Sequence, residues 1–254
     1  SQLHKQAVFK SIQHLIPKLD QAFPDLNIII RPHPTERHDV YKEIATHCSR
    51  VHVTNDGNVV PWILATKAVL HNGCTTGVEA FVMGVPAISY RESISEDYDN
   101  GFYQLPNAVS HQCFNFDQLQ DMIHQIISGK LGVADGNERQ ALVKRYLASQ
   151  EGPLACEKMV KILAAAIARQ KDDDRPSWWE CLQRRLIADG YHLYKRLKPM
   201  LPGSHNRPEF QKHRYPGISL DQLKRKIKRI QNILNDTTRL KVEKLSDVLF
   251  RISV

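Results

Sequence analysis

The chain has 254 residues, 42% hydrophobic and 24% charged, the make-up of a globular protein long enough to bury a core. No apolar run approaches the roughly twenty residues that cross a bilayer, and Ser1 to Lys5 carry no signal-peptide pattern. The net charge of +8 is uneven: the signs nearly balance to about residue 170, whereas from Arg184 onward basic residues outnumber acidic ones by roughly three to one.

Val8, Ile12, Leu15, Ile16 and Leu19 recur at helical spacing and predict a helix over 3–20. A chain of this class that opens on a helix rather than a strand leads us to expect a further segment upstream. Leu26 to Ile30 is a short apolar β-branched run, read as a fully buried strand. Thr35 is placed to cap a helix over 36–47. Strands are expected at 50–54, 67–71 and 86–90, and helices at 59–66 and 75–83, the latter ended by Gly84. Asn55 to Asn58 reads as a tight loop. Residues 91–107 read as a loop, 108–114 as a last short strand, and 116–128, 137–149 and 154–170 as helices.

This alternation with short connections predicts right-handed βαβ units and an α/β fold with a doubly wound parallel sheet over residues 1–170. The charged break Lys171 to Pro176 predicts a boundary, followed by a basic, mainly helical extension over 171–254. Within it a helix is expected from Trp178 to Leu201, an end at Pro202–Ser204, a turn at His213–Gly217, a basic amphipathic helix at Leu220–Leu234 and a strand at Val248–Ile252.

Five cysteines, none in a C-x-x-C pair, fit a reduced cytoplasmic setting rather than a disulfide framework or structural zinc. The twelve histidines include no H-E-x-x-H pair, so no metal is expected.

Two segments carry the chemistry. Ile28-Ile29-Ile30-Arg31-Pro32-His33-Pro34 is a strand running into a turn stiffened by two prolines. It holds Arg31 and His33, good donors to phosphate oxygens, at the carboxyl edge of the sheet. The same residues read equally as a strand terminated by prolines with a solvated histidine. About forty residues on, His71-Asn72-Gly73-Cys74-Thr75-Thr76-Gly77-Val78-Glu79-Ala80 is a strand whose turn opens a helix. Gly73 and Gly77 permit close backbone approach, and Thr75 and Thr76 offer hydroxyls and N–H groups. Glu79 lies one turn in, within reach of a ribose diol. A capping box between Thr76 and Glu79 is the competing account of this pair. Two such turns on neighbouring parallel strands would converge at the edge where open α/β sheets bind ligands.

The array R-P-H-P, then H-N-G-C-T-T-G-V-E-A, then G-V-P-A-I-S-Y resembles the C-terminal nucleotide-sugar-binding domain of GT-B glycosyltransferases. It is similar to bacterial surface-carbohydrate (capsule and lipopolysaccharide) proteins of the capsule-type Kdo transferase kind and, more distantly, to GT-B sialyltransferases. The resemblance covers roughly residues 3–170. The later His213-Arg214-Tyr215-Pro216-Gly217 is a weaker echo of the C-terminal part of the surface-carbohydrate proteins. It implies that His33 contacts phosphate or cytidine of a nucleotide-sugar donor, that Thr75 and Thr76 hold the phosphates, and that Glu79 lies near the ribose. By position alone, Asp56, Gly57 and Asn58 would border the base. The donor implied is CMP-linked in preference to UDP-linked, and the acceptor a glycan or lipid-linked chain.

The resemblance further implies transfer without a metal or other cofactor, the leaving phosphate being stabilised by backbone N–H groups, Arg31 and His33. Asp172-Asp173-Asp174 reads as a solvated charge run. The family's N-terminal Rossmann domain, which usually binds the acceptor and often supplies the catalytic acid or base, has no counterpart here. No catalytic residue is nominated on this chain. A UDP-N-acetylglucosamine 2-epimerase on the same fold and a non-catalytic nucleotide-sugar-binding scaffold are the alternatives.

In the extension, Trp178, Trp179, Arg184, Arg185, Tyr191, Tyr194, Lys195, Arg196 and Lys198 mix aromatic and basic residues at helical spacing. Such a helix suits an anionic membrane surface, here the inner membrane, and equally suits packing on the absent domain with its charges in water. Lys224 to Arg229 resembles no nucleic-acid reading motif, so no nucleic acid is expected.

Overall fold

The computed structural model describes residues 2–33, 36–99, 101, 103–169, 176–198, 217–245 and 249–254. The chain divides into two compact units, residues 1–170 and 171–254. The first is mixed α/β with parallel strands. Its elements are α1 (Gln2–Ala22), β1 (Ile28–Ile30), α2 (His38–Ala45), β2 (Val51–Val53), α3 (Val59–Ala65), β3 (Val69–His71), α4 (Thr76–Val82) and β4 (Ala87–Tyr90). There follow α5 (Glu96–Asp99), α6 (Gln104–Ala108), β5 (His111–Cys113), α7 (Phe116–Ile127), α8 (Asn137–Tyr146) and α9 (Ala155–Arg169).

The strands form two parallel ribbons. β1 pairs with β2, Ile29 opposite His52, and β4 runs between β3 and β5, with His71 opposite Ser89 and Tyr90 opposite Cys113. One apolar cluster serves both ribbons: Leu15, Leu19 and Phe23 at the end of α1, Ile88 and Tyr90 of β4, and Leu119 and Ile126 of α7, with Ile28 and Leu70 packed against them. The α1 spacing anticipated this face, and Pro17 is accommodated inside the helix. β4 is buried at all four positions, as a central parallel strand should be. β1 departs from expectation. Ile28 and Ile30 reach the core, but Ile29 points the other way and is 40% exposed.

Local signals set the element ends. Asn58 and Asn115 cap α3 and α7, their Oδ1 atoms accepting from Val60 N–H at 2.8 Å and Gln118 N–H at 2.9 Å. α4 stops at Gly84, whose φ of +74° permits bonds from Val85 N–H to the Ala80 carbonyl and from Gly84 N–H to the Phe81 carbonyl. The expected cap at Thr35 lies outside the described residues. Residues 91–107 are not simply a loop, because they contain α5 and α6. Both are under two turns, too short for a hydrophobic period to announce them. α9 buries none of its side chains, and Met159, Val160, Ile162, Leu163 and Ile167 are all exposed.

The second unit holds α10 (Trp178–Leu197), α11 (Leu220–Leu234) and a hairpin of β6 (Lys241–Lys244) and β7 (Phe250–Ser253). Both helices open on complete capping boxes, Ser177 with Glu180 and Ser219 with Gln222. α11 ends at Asn235, left-handed at φ 52°, where Asp236 N–H bonds the Gln231 carbonyl at 2.9 Å. β6 has no counterpart in the sequence reading, because Lys-Val-Glu-Lys carries no strand propensity apart from its valine. On α10, Lys195 and Lys198 lie over the rings of Tyr191 and Tyr194 at 4.8 and 5.4 Å. The expected features at Asp172–Asp174, Pro202–Ser204 and His213–Pro216 fall outside the described residues. Among the described residues no helix is long and apolar enough to cross a membrane.

Candidate functional site

The carboxyl end of β1 and the loop after β2 are joined through Arg31. Its Nη1 donates to the Asp56 carbonyl and its Nη2 to the Gly57 carbonyl, both at 3.1 Å. The guanidinium lies 5.1 Å from the centre of the Trp62 indole, and the Trp62 Nε1–H donates to the same Asp56 carbonyl at 3.0 Å. A cation is thus fixed by two carbonyl dipoles and a π face, with no carboxylate in ion-pairing distance among the described residues. Burial lowers the Arg31 pKa, and the Asp56 charge works against that shift. Beside it, Asn55 Nδ2 donates to the Pro32 carbonyl at 2.9 Å and lies 3.0 Å from His38 Nε2. His33 is exposed, and its carbonyl accepts from Glu36 N–H.

The second segment is organised from beneath by His71. This residue ends β3 at 6% exposure. Its Nδ1 accepts from Gly73 N–H at 3.0 Å, and its Nε2 lies 2.8 Å from Ser110 Oγ. Ser110 Oγ donates its own proton to the Pro106 carbonyl, so it accepts from Nε2, and the ring is the neutral Nε2–H tautomer. Gly77 passes directly over this ring: a Cβ there would stand 2.3 Å from Nε2. At Gly73 (φ +102°) a Cβ would stand 2.6 Å from the ring of Tyr103. Both glycines are therefore required by the protein's own side chains.

The capping box between Thr76 and Glu79, the competing account, is not formed. Thr75 is the N-cap, it makes no side-chain cap bond, and Thr76 Oγ1 instead meets Cys74 Sγ at 3.0 Å. Among the described residues the N–H groups of Cys74, Thr75 and Thr76 find no acceptor, while Gly77 N–H and Glu79 N–H turn back to the carbonyls of Cys74 and Thr75. Cys74 and Thr75 are exposed, and Thr76 and Glu79 are half-buried. The structure thus groups Arg31 with Asp56 and Gly57, Asn58 being turned to the cap of α3, and Gly73 with Cys74, Thr76 and Gly77. The two groups are linked through α3 and α4, where Ile63, next to Trp62, packs with Ala80.

Sequence reasoning missed a polar cluster between them and β5. Every buried polar side chain among the described residues belongs to it: His71, Ser89, Asp99, Asn107 and Ser110. Ser89 Oγ donates to Asn107 Oδ1 at 2.8 Å, and Arg91 Nη1 pairs with Asp99 Oδ1 at 3.3 Å. The available signal was a polar residue inside each short apolar strand, His71 at the end of β3 and Ser89 within β4.

Burial, and secondarily the charge of Arg91, lowers the His71 pKa from 6.5 to about 4. A histidine depressed on folding takes up its proton more readily in the unfolded chain. Its contribution to stability is therefore complete above about pH 6.5 and is lost as pH falls toward 4. Urea unfolding at pH 5 should show a stability about 2 kcal/mol below that at pH 7.5, from roughly 1.4 kcal/mol per pH unit across the window. A flat profile between these values would contradict the buried neutral ring.

No family model matches the chain, and no curated protein or solved structure matches it either.

Proposed function

We propose that residues 1–170 are the donor-binding half of a GT-B glycosyltransferase, holding a CMP-linked acidic sugar of the Kdo kind for transfer to a surface polysaccharide or lipid-linked acceptor. The observation that carries this is the Arg31 clamp. Nη1 and Nη2 are oriented by the Asp56 and Gly57 carbonyls, and among the described residues no carboxylate lies in ion-pairing distance of the guanidinium. A guanidinium fixed in this way at a strand's carboxyl end is suited to a phosphate or other anion. The parallel strands, β1 with β2 and β3 with β4 and β5, and the apolar cluster on which Ile28 and Leu70 both pack support the finer reading of one doubly wound sheet. His33, Thr75, Thr76 and Glu79 take the roles the resemblance implies. The reading assigns no catalytic base on this chain, and the basic extension over 171–254 is a separate domain whose helix suits an anionic membrane surface as well as packing on another domain.

Melting curves with CMP, UDP and GMP test the reading. A nucleotide at a hundred times its Kd stabilises by about 2.7 kcal/mol, or roughly 5–10 °C for a unit of this size. The expected result is a shift with CMP that His33→Ala removes. No shift with any of the three would overturn the reading, and a preference for UDP would favour the epimerase.

A further inference from the structure

The second unit presents an apolar helix face that none of the described residues covers. α10 is 20 residues long, and of its described side chains all but Leu182 are exposed. At about 100° per residue, Trp179, Leu182, Leu186, Leu193 and Leu197 fall on one stripe about 60° wide. Trp178 widens the stripe on one side, and Tyr194 and Ile187 widen it on the other. Trp179, Leu186, Leu193 and Leu197 are 53–63% exposed. The capping box of Ser177 and Glu180 starts the helix without help from packing.

Cations frame this face. By the same geometry Arg185 borders the Trp178 margin, Lys198 borders the Ile187 margin, and Arg184 and Lys195 lie opposite the stripe. None of them makes an ion pair among the described residues. The acids of α10 are Glu180, committed to the capping box, and Asp189 at the Trp178 margin. α11 repeats the sign: Lys224, Arg225, Lys226, Lys228 and Arg229 are exposed and unpaired among the described residues, and Asp221 is the one acid within that helix. A partner for α10 has to be negative over an extended area and apolar beneath it. An acidic polymer offers the charge without an apolar layer. A protein face would need an acid set against each unpaired cation. An anionic lipid surface supplies both, because its negative potential is continuous and its acyl chains lie just below. Trp and Tyr are also the side chains that settle at headgroup level. Since α10 is not apolar enough to cross a bilayer, it would lie in the surface.

We propose that α10 docks in the plane of an anionic lipid surface, with Trp179, Leu182, Leu186, Leu193 and Leu197 entering the boundary between headgroups and acyl chains. Arg185 and Lys198 then meet lipid phosphates along the two margins, and Arg184 and Lys195 add attraction from the outer side. The stripe enters to a depth of about 5–10 Å. This assignment stands on the extension alone and does not depend on what residues 1–170 bind.

Titration of the full chain with vesicles tests it, using phosphatidylcholine alone and phosphatidylcholine mixed with phosphatidylglycerol, with tryptophan emission as the readout. The native chain should bind the mixed vesicles, more weakly as salt rises, and leave the neutral ones. Its emission should shift to the blue and be quenched by lipids brominated on their acyl chains. Trp178→Phe with Trp179→Phe should remove that shift, since Trp62 belongs to the first unit. Leu186→Gln with Leu193→Gln keeps every charge and should weaken binding more than tenfold. Lys195→Gln with Lys198→Gln keeps the stripe and should weaken binding to mixed vesicles by about tenfold or more. All these side chains are exposed, so the helix should keep its far-ultraviolet circular dichroism. Absence of binding to the mixed vesicles would overturn the proposal. So would binding without a blue shift, which would be charge adsorption alone, or native affinity in the double Leu→Gln variant. A native dimer that the double Leu→Gln variant splits, with no vesicle binding, would assign the face to a second copy of the chain and sink the lipid assignment.

Discussion

Gly77→Ala is expected to lower the stability of the first unit by about 3 kcal/mol, a fall in Tm of roughly 6–12 °C for a unit of this size. The new methyl would meet three atoms of the His71 ring at 2.3–2.9 Å. The ring has no free direction to move. It accepts from Gly73 N–H on one side and donates to Ser110 Oγ on the other, and each bond lost in a buried site costs about 1 kcal/mol or more. The alternative adjustment, lifting α4, would break the packing of Val78 and Ala80, which are nearly inaccessible to solvent. Gly84→Ala is the control. There the space around a Cβ is empty and only the positive φ of +74° resists, a cost of about 1 kcal/mol. A double mutant joining Gly77→Ala to His71→Ala should be less destabilised than the sum of its parts, since the two changes share one collision. Additive losses, or equal losses at Gly77 and Gly84, would show that the ring is not what makes Gly77 necessary.

That expectation marks where the sequence could and could not be read. The Gly-Cys-Thr-Thr-Gly run is plain as a strand-to-helix turn, and the strand and helix periods around it place β3, α4 and β4 within a residue or two of where they lie. What a linear pattern cannot disclose is the third dimension of each glycine. Gly73 and Gly77 look like room for a ligand, yet the rooms are filled by Tyr103 and His71. The reason is topological: Ser110, Pro106 and Tyr103 come from a segment thirty residues later, and α5 and α6 within it are too short to show a period. Arg31 was legible as a donor, because a basic residue at a strand end is a local fact. Its restraint was not, because the carbonyls of Asp56 and Gly57 and the ring of Trp62 arrive from across the ribbon. Trp62 stands in an almost wholly apolar run, where an indole is indistinguishable from core until its N–H partner is known. β6 was hidden for the opposite reason: the hairpin is held by its pairing with β7, and its own residues are mostly charged.

Arg31→Ala is the second change expected to matter most, and it separates binding from folding. Removing the guanidinium frees the Asp56 and Gly57 carbonyls at an exposed loop, where water replaces the lost donors, so stability should fall by no more than about 1 kcal/mol. Nucleotide affinity should fall far more, by about 10–100-fold, because a charge-assisted bond to phosphate contributes roughly 1.5–3 kcal/mol. Trp62→Leu provides the finer test. It keeps the cation but removes the π face and the indole N–H that steadies the Asp56 carbonyl. The guanidinium then samples more orientations, and affinity should fall by less than in Arg31→Ala, with a steeper dependence on salt as the contact becomes more exposed. Arg31→Lys should resemble Arg31→Ala more than the native protein, since one ammonium cannot satisfy two carbonyls and a phosphate in the guanidinium's plane. The measurement is a set of titrations with CMP at two salt concentrations alongside urea unfolding of each variant. Matching losses of stability with unchanged CMP affinity would make Arg31 a strut between β1 and the loop after β2. Lost affinity in a stably folded Arg31→Ala would make the clamp the part of this fold that holds the phosphate.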